Sequence, residues 1–160
     1  MRLKDRFIWG AKTHVMGILN VTPDSFSGDG VATTVAAVAQ ARGFAASGAD
    51  IIDIGGESTR PGAQAVGAVA EADRVLPIIS AVRDALPDAV ISIDTYRAKV
   101  AEVALDAGAD IINDVWGLRA DPEMAPLAAA RGVPVILMHN RSRPGHAEID
   151  ARLGGQYIPP

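Results

Sequence analysis

Five short apolar runs alternate along this chain with alanine-rich helical stretches, and each run closes on a residue able to hydrogen-bond or hold a metal. The runs are Val15 to Leu19, Ala49 to Ile54, Val90 to Ile93, Asp110 to Ile112 and Pro134 to Met138. The residues at or just beyond their ends are Asn20, then Asp53 with Glu57, then Asp94, then Asn113 with Asp114, and finally His139. Helical patterns fill the intervals at about Thr33 to Ala46, Ala68 to Leu86, Tyr96 to Ala107 and Pro122 to Arg131. Gly48, Gly108 and Gly132 supply stop signals. Pro77 is expected to kink or split the second helix. Near-continuous apolar strands separated by helices predict a parallel sheet covered on both faces.

An internal echo supports this layout. Ser47-Gly-Ala-Asp-Ile-Ile-Asp-Ile54 resembles Ala107-Gly-Ala-Asp-Ile-Ile-Asn-Asp114, each a glycine helix stop followed by a buried strand. Two α/β architectures accommodate the pattern, a (β/α)8 barrel and an open doubly wound sheet. No Gly-x-Gly-x-x-Gly turn follows the first strand, which weakens the dinucleotide-binding form of the second.

Composition narrows the function. With 160 residues and 49% hydrophobic content the chain can bury one core, and disorder is excluded. A net charge of −4 without a basic block argues against nucleic acid as a partner. There is no cysteine, hence neither disulfide framework nor thiolate chemistry. No apolar run approaches the roughly 18 residues of a membrane span, and residues 1–5 are charged with no signal-peptide core behind them. A cytoplasmic protein with no membrane partner is expected. Residues 1–14 read as an N-terminal hairpin, 15–139 as the α/β unit, and 140–160 as a tail without a convincing element. A parallel sheet ending at five strands with two open edges reads as part of a longer barrel of about 250 residues.

The strand-end residues carry the chemistry. Singly, each has a structural explanation: Asp94 and Thr95 as a helix cap, Asp53 as an internal hydrogen-bonding group, Asp114 as a turn cap, His139 as a core histidine. Together they point to a site, because capping does not require a polar residue at the last position of every strand. Carboxylates and amides on a barrel floor suit a polar planar heterocycle. Asp24, Asp29, Thr59 and Arg60, in the polar stretches after the first two strands, suit a diphosphate with a hard cation.

Five motifs bear a family resemblance. Met16-Gly-Ile-Leu-Asn-Val-Thr-Pro-Asp-Ser-Phe-Ser27, Asp53-Ile-Gly-Gly-Glu-Ser-Thr-Arg-Pro-Gly62, Ile93-Asp-Thr95, Ile112-Asn-Asp114 and Leu137-Met-His-Asn-Arg141 resemble, in order, those of the dihydropteroate synthases. The resemblance implies a (β/α)8 TIM barrel, here represented by roughly its first five strands and four helices. It implies condensation of 6-hydroxymethyl-7,8-dihydropterin diphosphate with p-aminobenzoate, releasing pyrophosphate in folate biosynthesis, a Mg2+ requirement, sulfonamide sensitivity and a homodimeric full-length protein. By the same resemblance Asp94 and Asn113 hold the pterin edge, with Val115 and Met138 lining the pocket. Asn20 and Asp29 bind the metal beside the diphosphate, Thr59 and Arg60 act from the second loop, and Phe26 and Pro61 wall the p-aminobenzoate site. Asp94, Asn113 and Arg60 form the expected catalytic set.

Two departures from the family pattern stand out. Many members read Ser-Asp-Gly-Gly where this chain reads Ser27-Gly-Asp-Gly30, which displaces the metal-binding acid by one place to Asp29. The family's later segments, which supply a further pterin-binding acid, a lysine and a phosphate-binding Arg and His, are not in these 160 residues. The 160 residues alone are therefore expected to lack synthase activity. The competing readings are a non-catalytic pterin-binding fragment or paralogue, and the methyltetrahydrofolate-binding barrel of corrinoid methyltransferases. The Thr59-Arg60-Pro61-Gly62 stretch and the Asn20 to Phe26 stretch favour the synthase over the methyltransferase barrel.

Overall fold

A computed structural model of the chain describes residues 7, 10–21, 34–57 and 66–139. The elements follow in strict alternation: β1 (Met16–Asn20), α1 (Thr34–Ala46), β2 (Ile51–Gly55), α2 (Ala68–Ala85), β3 (Val90–Asp94), α3 (Ala98–Asp106), β4 (Ile111–Asp114), α4 (Met124–Arg131) and β5 (Val135–Leu137). The expected hairpin over 1–14 lies largely, and the tail over 140–160 wholly, outside the described residues.

All neighbouring strands pair in parallel, in the order β1-β2-β3-β4-β5. A doubly wound sheet reverses its strand order at a switch point; this one never does. α1 packs on α2, α2 on α3 and α3 on α4. Sequential strands with sequential helices packed side by side make the α/β architecture of a (β/α)8 barrel wall.

The alternation of side chains along each strand separates two cores. Leu19, Ile52, Ile54, Ile91, Ile93 and Ile112 point to the helices and are essentially inaccessible. Each such aliphatic side chain contributes about 2 kcal/mol on burial. Ile51, Val90 and Ile111 point the other way and pack with Met16 and Ile136 across the inner face. α2 answers with Glu71, Val75, Ile78, Ile79 and Val82, a stripe at helical spacing whose single charge is Glu71.

Several boundaries differ from the pattern-based ones. β3 and β4 extend through Asp94 and through Asn113 and Asp114, so these polar residues belong to the sheet. α3 starts at Ala98 rather than Tyr96, because a turn at Thr95, whose Oγ1 accepts from Arg97 N at 3.2 Å, comes first. α4 starts at Met124 rather than Pro122. Pro77 does not split α2, which runs unbroken from Ala68 to Ala85. Pro77 lies on the exposed side, where water can take the carbonyl that loses its partner.

The sequence echo is a structural repeat. Gly48 (φ +91°) and Gly108 (φ +114°) take the left-handed conformation that ends α1 and α3. Ala49 N donates to Phe44 O and Ala109 N to Ala104 O, both at 3.0 Å. Asp50 N then donates to Val15 O and Asp110 N to Ile91 O, both at 2.8 Å. The carboxylates repeat as well: Asp50 accepts from Val15 N at 3.0 Å and Asp110 from Ile91 N at 2.9 Å. Each Asp thus fastens the start of its own strand to the start of a neighbour. Arg83 of α2 completes the second fastening, donating to Asp110 Oδ2 at 2.6 Å and to the carbonyls of Pro87, Ala89 and Gly108.

Candidate active site

The carboxyl ends of the strands gather a different set of polar groups. On the inner face, Ser92 Oγ of β3 donates to Asp53 Oδ1 at 2.5 Å, and Asn113 Nδ2 of β4 donates to Asp53 Oδ2 at 3.1 Å. Asp53 is only 2% exposed. Burial raises its pKa above the ordinary 3.8, opposed by the bonds from Ser92 and Asn113. Ser92 was not singled out from the sequence. The signal was the lone hydroxyl in Val90-Ile-Ser-Ile-Asp94, two residues before Asp94 and so on the same face.

Asp94 lies two residues further along β3, in register with Gly55 of β2 and Asn113 of β4. A Cβ on Gly55 would sit 3.4 Å from Asp94 Cβ and 3.5 Å from its Oδ2, so the carboxyl leans over bare backbone. Among the described residues none donates a hydrogen bond to it. Burial, reinforced by the charges of Asp53, Glu71, Asp114 and Glu57, pushes its pKa from 3.8 to about 7. Thr95 makes the turn, and Asp121 Oδ2 accepts from Ala98 N at 2.8 Å at the start of α3. The helix therefore makes no use of Asp94 as a cap.

Asn113 spends one amide N–H on Asp53, which leaves its carbonyl oxygen and its second N–H without a described partner. Asp94 and Asn113, side by side on paired strands, then each offer an accepting oxygen with no described donor, and a ligand edge carrying N–H groups complements them. Asn20 closes β1 opposite Gly55, and its side-chain amide also lacks a described partner. Met138 N donates to Asp114 O at 3.2 Å, which sets Met138 beside the Asp114–Val115 peptide at the same end of the sheet. Met138 is 47% exposed and Val115 half-buried. The structure thus gathers Asn20, Asp94, Asn113, Val115 and Met138 at one end of the sheet. Phe26, Asp29, Thr59, Arg60 and Pro61 lie outside the described residues.

Three strand-end residues do not join the set. Asp114, 1% exposed, accepts from Trp116 N and Leu118 N, each at 2.8 Å. It builds the turn in which Leu118 takes φ +63°, the one non-glycine residue with positive φ among those described. Glu57 is buried against Arg97 instead, and His139 is exposed beyond β5. Among the described residues no group of three or more His, Cys, Asp or Glu side chains is arranged to hold a metal ion. None of the described helices is long and apolar enough to cross a membrane.

A barrel-type α/β sheet whose strand ends present paired acceptors to a donor-rich polar ligand is an enzyme-like binding architecture. The chain belongs to the pterin-binding enzyme family, matching it over residues 16–155. It is 53% identical over 133 residues to the dihydropteroate synthase of Clostridium beijerinckii, an alignment spanning 82% of this chain and 49% of that protein. Among solved structures, the dihydropteroate synthase of Clostridium difficile in the presence of pteroic acid superposes with a TM-score of 0.77 at 47% identity. That match covers 85% of this chain and 52% of the other. The Xanthomonas albilineans dihydropteroate synthase with 4-aminobenzoic acid gives a TM-score of 0.74 at 47% identity, over 82% of this chain and 48% of that one. The chain spans about half the length of the curated relatives it matches.

Proposed function

We propose that the protein to which this chain belongs is a dihydropteroate synthase. It condenses 6-hydroxymethyl-7,8-dihydropterin diphosphate with p-aminobenzoate to give 7,8-dihydropteroate and pyrophosphate. The observation that carries this reading is Asp94: a desolvated carboxyl with no described donor, in register with Asn113, at the strand ends of a pterin-binding fold. Relatives solved with pteroic acid and with 4-aminobenzoic acid, at 47% identity, support both halves of the substrate pair.

The residues divide the work as follows. Asp94, once ionised, accepts from the ring N–H groups, and Asn113 accepts beside it. As pyrophosphate departs, positive charge develops on the pterin methylene and ring, and the anionic Asp94 stabilises it in a site of low dielectric. The amine of p-aminobenzoate forms its C–N bond to that carbon as the C–O bond to pyrophosphate breaks, with no covalent enzyme intermediate, and the proton it sheds leaves with pyrophosphate or to water. Thr59 and Arg60 serve the substrates from the stretch after β2, with Phe26 and Pro61 against p-aminobenzoate and Val115 and Met138 against the pterin.

Mg2+ fits the donor set as a substrate-borne ion. Asn20 offers one hard oxygen with no described partner, and Mg2+ commonly takes one or two protein oxygens while phosphates and water supply the rest. Asn20 and Asp29 would be its protein ligands, and when bound it neutralises the departing oxygens. A cytoplasmic homodimer completes the proposal.

A coupled pyrophosphate-release assay on the full-length protein tests it. Release that requires both substrates and Mg2+ is expected. Pterin binding without any release would instead identify a non-catalytic pterin-binding protein.

A further inference from the structure

Behind the site lies a charged cluster that the reaction above does not use. Arg97, the residue just before α3, donates through Nη1 to Glu57 Oε2 and to Glu71 Oε2. Its Nη2 donates to the Tyr96 hydroxyl at 2.6 Å, and its guanidinium stacks 4.3 Å from the centre of the Tyr96 ring. Tyr96 OH in turn donates to Glu57 Oε1 at 3.2 Å. Tyr96 also meets Trp116 edge to face, 6.5 Å between ring centres. The side chains of Glu57 and Glu71 are 5% and 1% exposed.

Apart from Glu71 of α2, the members of the cluster come from three strand exits. Glu57 stands two residues beyond β2, Tyr96 and Arg97 two and three beyond β3, and Trp116 two beyond β4. The β2 exit is gripped twice more. Arg74 Nη1 of α2 donates to Gly56 O at 2.9 Å. A Cβ on Gly56 would lie 2.7 Å from Val75 Cγ1 and 3.1 Å from Glu71 O, so only glycine admits α2 this close. One guanidinium between two buried carboxylates is a poor source of stability, since apolar side chains of similar volume often do as well. What it supplies is a fixed geometry for three exits at once.

We propose that Arg97 and Glu57 are positioning residues for the condensation, a role that rests on the synthase reading. Arg97 fixes Glu57, and Glu57 fixes the point from which the chain runs to Thr59 and Arg60. Thr59 follows by two residues, a reach of at most about 7 Å, so a shift of Glu57 is passed on to it. Asp94 and Asn113 are held separately, by β-sheet register and by Asp53. The cluster therefore governs the groups brought in after β2, and it reaches Asp94 only through the charges of Glu71 and Glu57, which add to the larger effect of burial.

The test is Glu57→Ala in the full-length protein. It breaks the link yet keeps Arg97 paired with Glu71. The KM for p-aminobenzoate should rise about tenfold, an effect of the size that small misplacement produces. The dissociation constant for the hydroxymethyl-dihydropterin without its diphosphate, by calorimetry, should stay within about threefold, and Glu57→Gln, whose amide oxygen can still accept from Arg97, should recover most of the loss. An unchanged KM, or an equal weakening of the diphosphate-free pterin that Glu57→Gln does not rescue, overturns the inference. Should Glu57→Ala not fold, Arg97→Lys is read the same way, because an ammonium keeps the charge but not the planar fork. Failure of the wild-type protein to turn over refutes the synthase reading and this one with it. Wild-type turnover with an indifferent variant refutes this one alone.

Discussion

Asp50 and Asp94 are the same residue at opposite ends of the sheet, in opposite conditions. Asp50, at the amino end, accepts from Lys12 Nζ at 2.5 Å and from Val15 N at 3.0 Å. The Lys12 hydrogen bond, followed by that from Val15, holds its pKa down at about 2. Asp94, at the carboxyl end, has no described donor, and burial among other acids lifts it to about 7. An acid given its partners by the fold fastens strands. An acid denied them is poised for a ligand that brings donors of its own. The division matches the general one in parallel barrels, where one end of the sheet serves stability and the other chemistry.

The largest expected effect breaks this contrast at its ligand-binding end. Asp94→Asn keeps the shape but replaces a carboxylate with a neutral amide. Pterin affinity of the full-length protein, by calorimetry, should fall about a hundredfold or more, as loss of charge-assisted hydrogen bonds in a desolvated site implies. Stability should move the other way. The folded protein holds the Asp94 proton up to about pH 7, whereas the unfolded chain releases it near 3.8. Asp94 therefore makes stability fall as pH rises from 3.8 to about 7. Removing the acid should flatten that slope and raise stability at pH 8 by on the order of 2 kcal/mol. Asp50 has the reverse sign: its contribution is full above pH 3.8 and is lost as pH falls to about 2. Equal pterin affinity in wild type and Asp94→Asn would remove Asp94 from the site.

Next in size is the fastening at the amino end. Arg83→Met keeps the aliphatic stem but takes the donors from three carbonyls and from Asp110, which is left with Ile91 N. A loss of about 2 kcal/mol in urea unfolding is expected, typical of breaking a partly buried network. Pterin affinity should not change. A variant that binds poorly at unchanged stability would show that the two ends of the sheet are coupled.

Legibility in the sequence follows the same division. The strand–helix alternation was readable because inward and outward residues of these strands are both apolar, as in Ile51-Ile52 and Ile111-Ile112. The echo at 47–54 and 107–114 was readable because one geometric problem, ending a helix and fastening a strand, recurs with one solution. Choosing between barrel and doubly wound sheet needed the strand order, which no local pattern encodes. At the carboxyl ends, residue type alone could not separate Asp94 from Asp114. Asp114 is occupied by Trp116 N and Leu118 N, and Asp94 by nothing described, a difference that exists only once the turns are folded. The Arg97 cluster escaped for a related reason: Glu57, Glu71 and Arg97 are far apart in sequence, and Glu71 looks like any surface glutamate until α2 turns it inward.

The smallest effect sharpens the comparison inside the carboxyl end itself. Asp53 is an acid with donors there, held by Ser92 and Asn113. By the logic that separates Asp50 from Asp94, it belongs with the supports. Ser92→Ala removes one donor from a buried carboxylate and adds no bulk. It should lower stability by about 1 kcal/mol, the ordinary net worth of such a bond. Asn113 still donates to Asp53 in the variant, so its amide keeps its orientation, and pterin affinity should stay within about twofold. If affinity drops while unfolding is unchanged, Ser92 faces the ligand, and the line between support and recognition runs below Asp53 rather than above it.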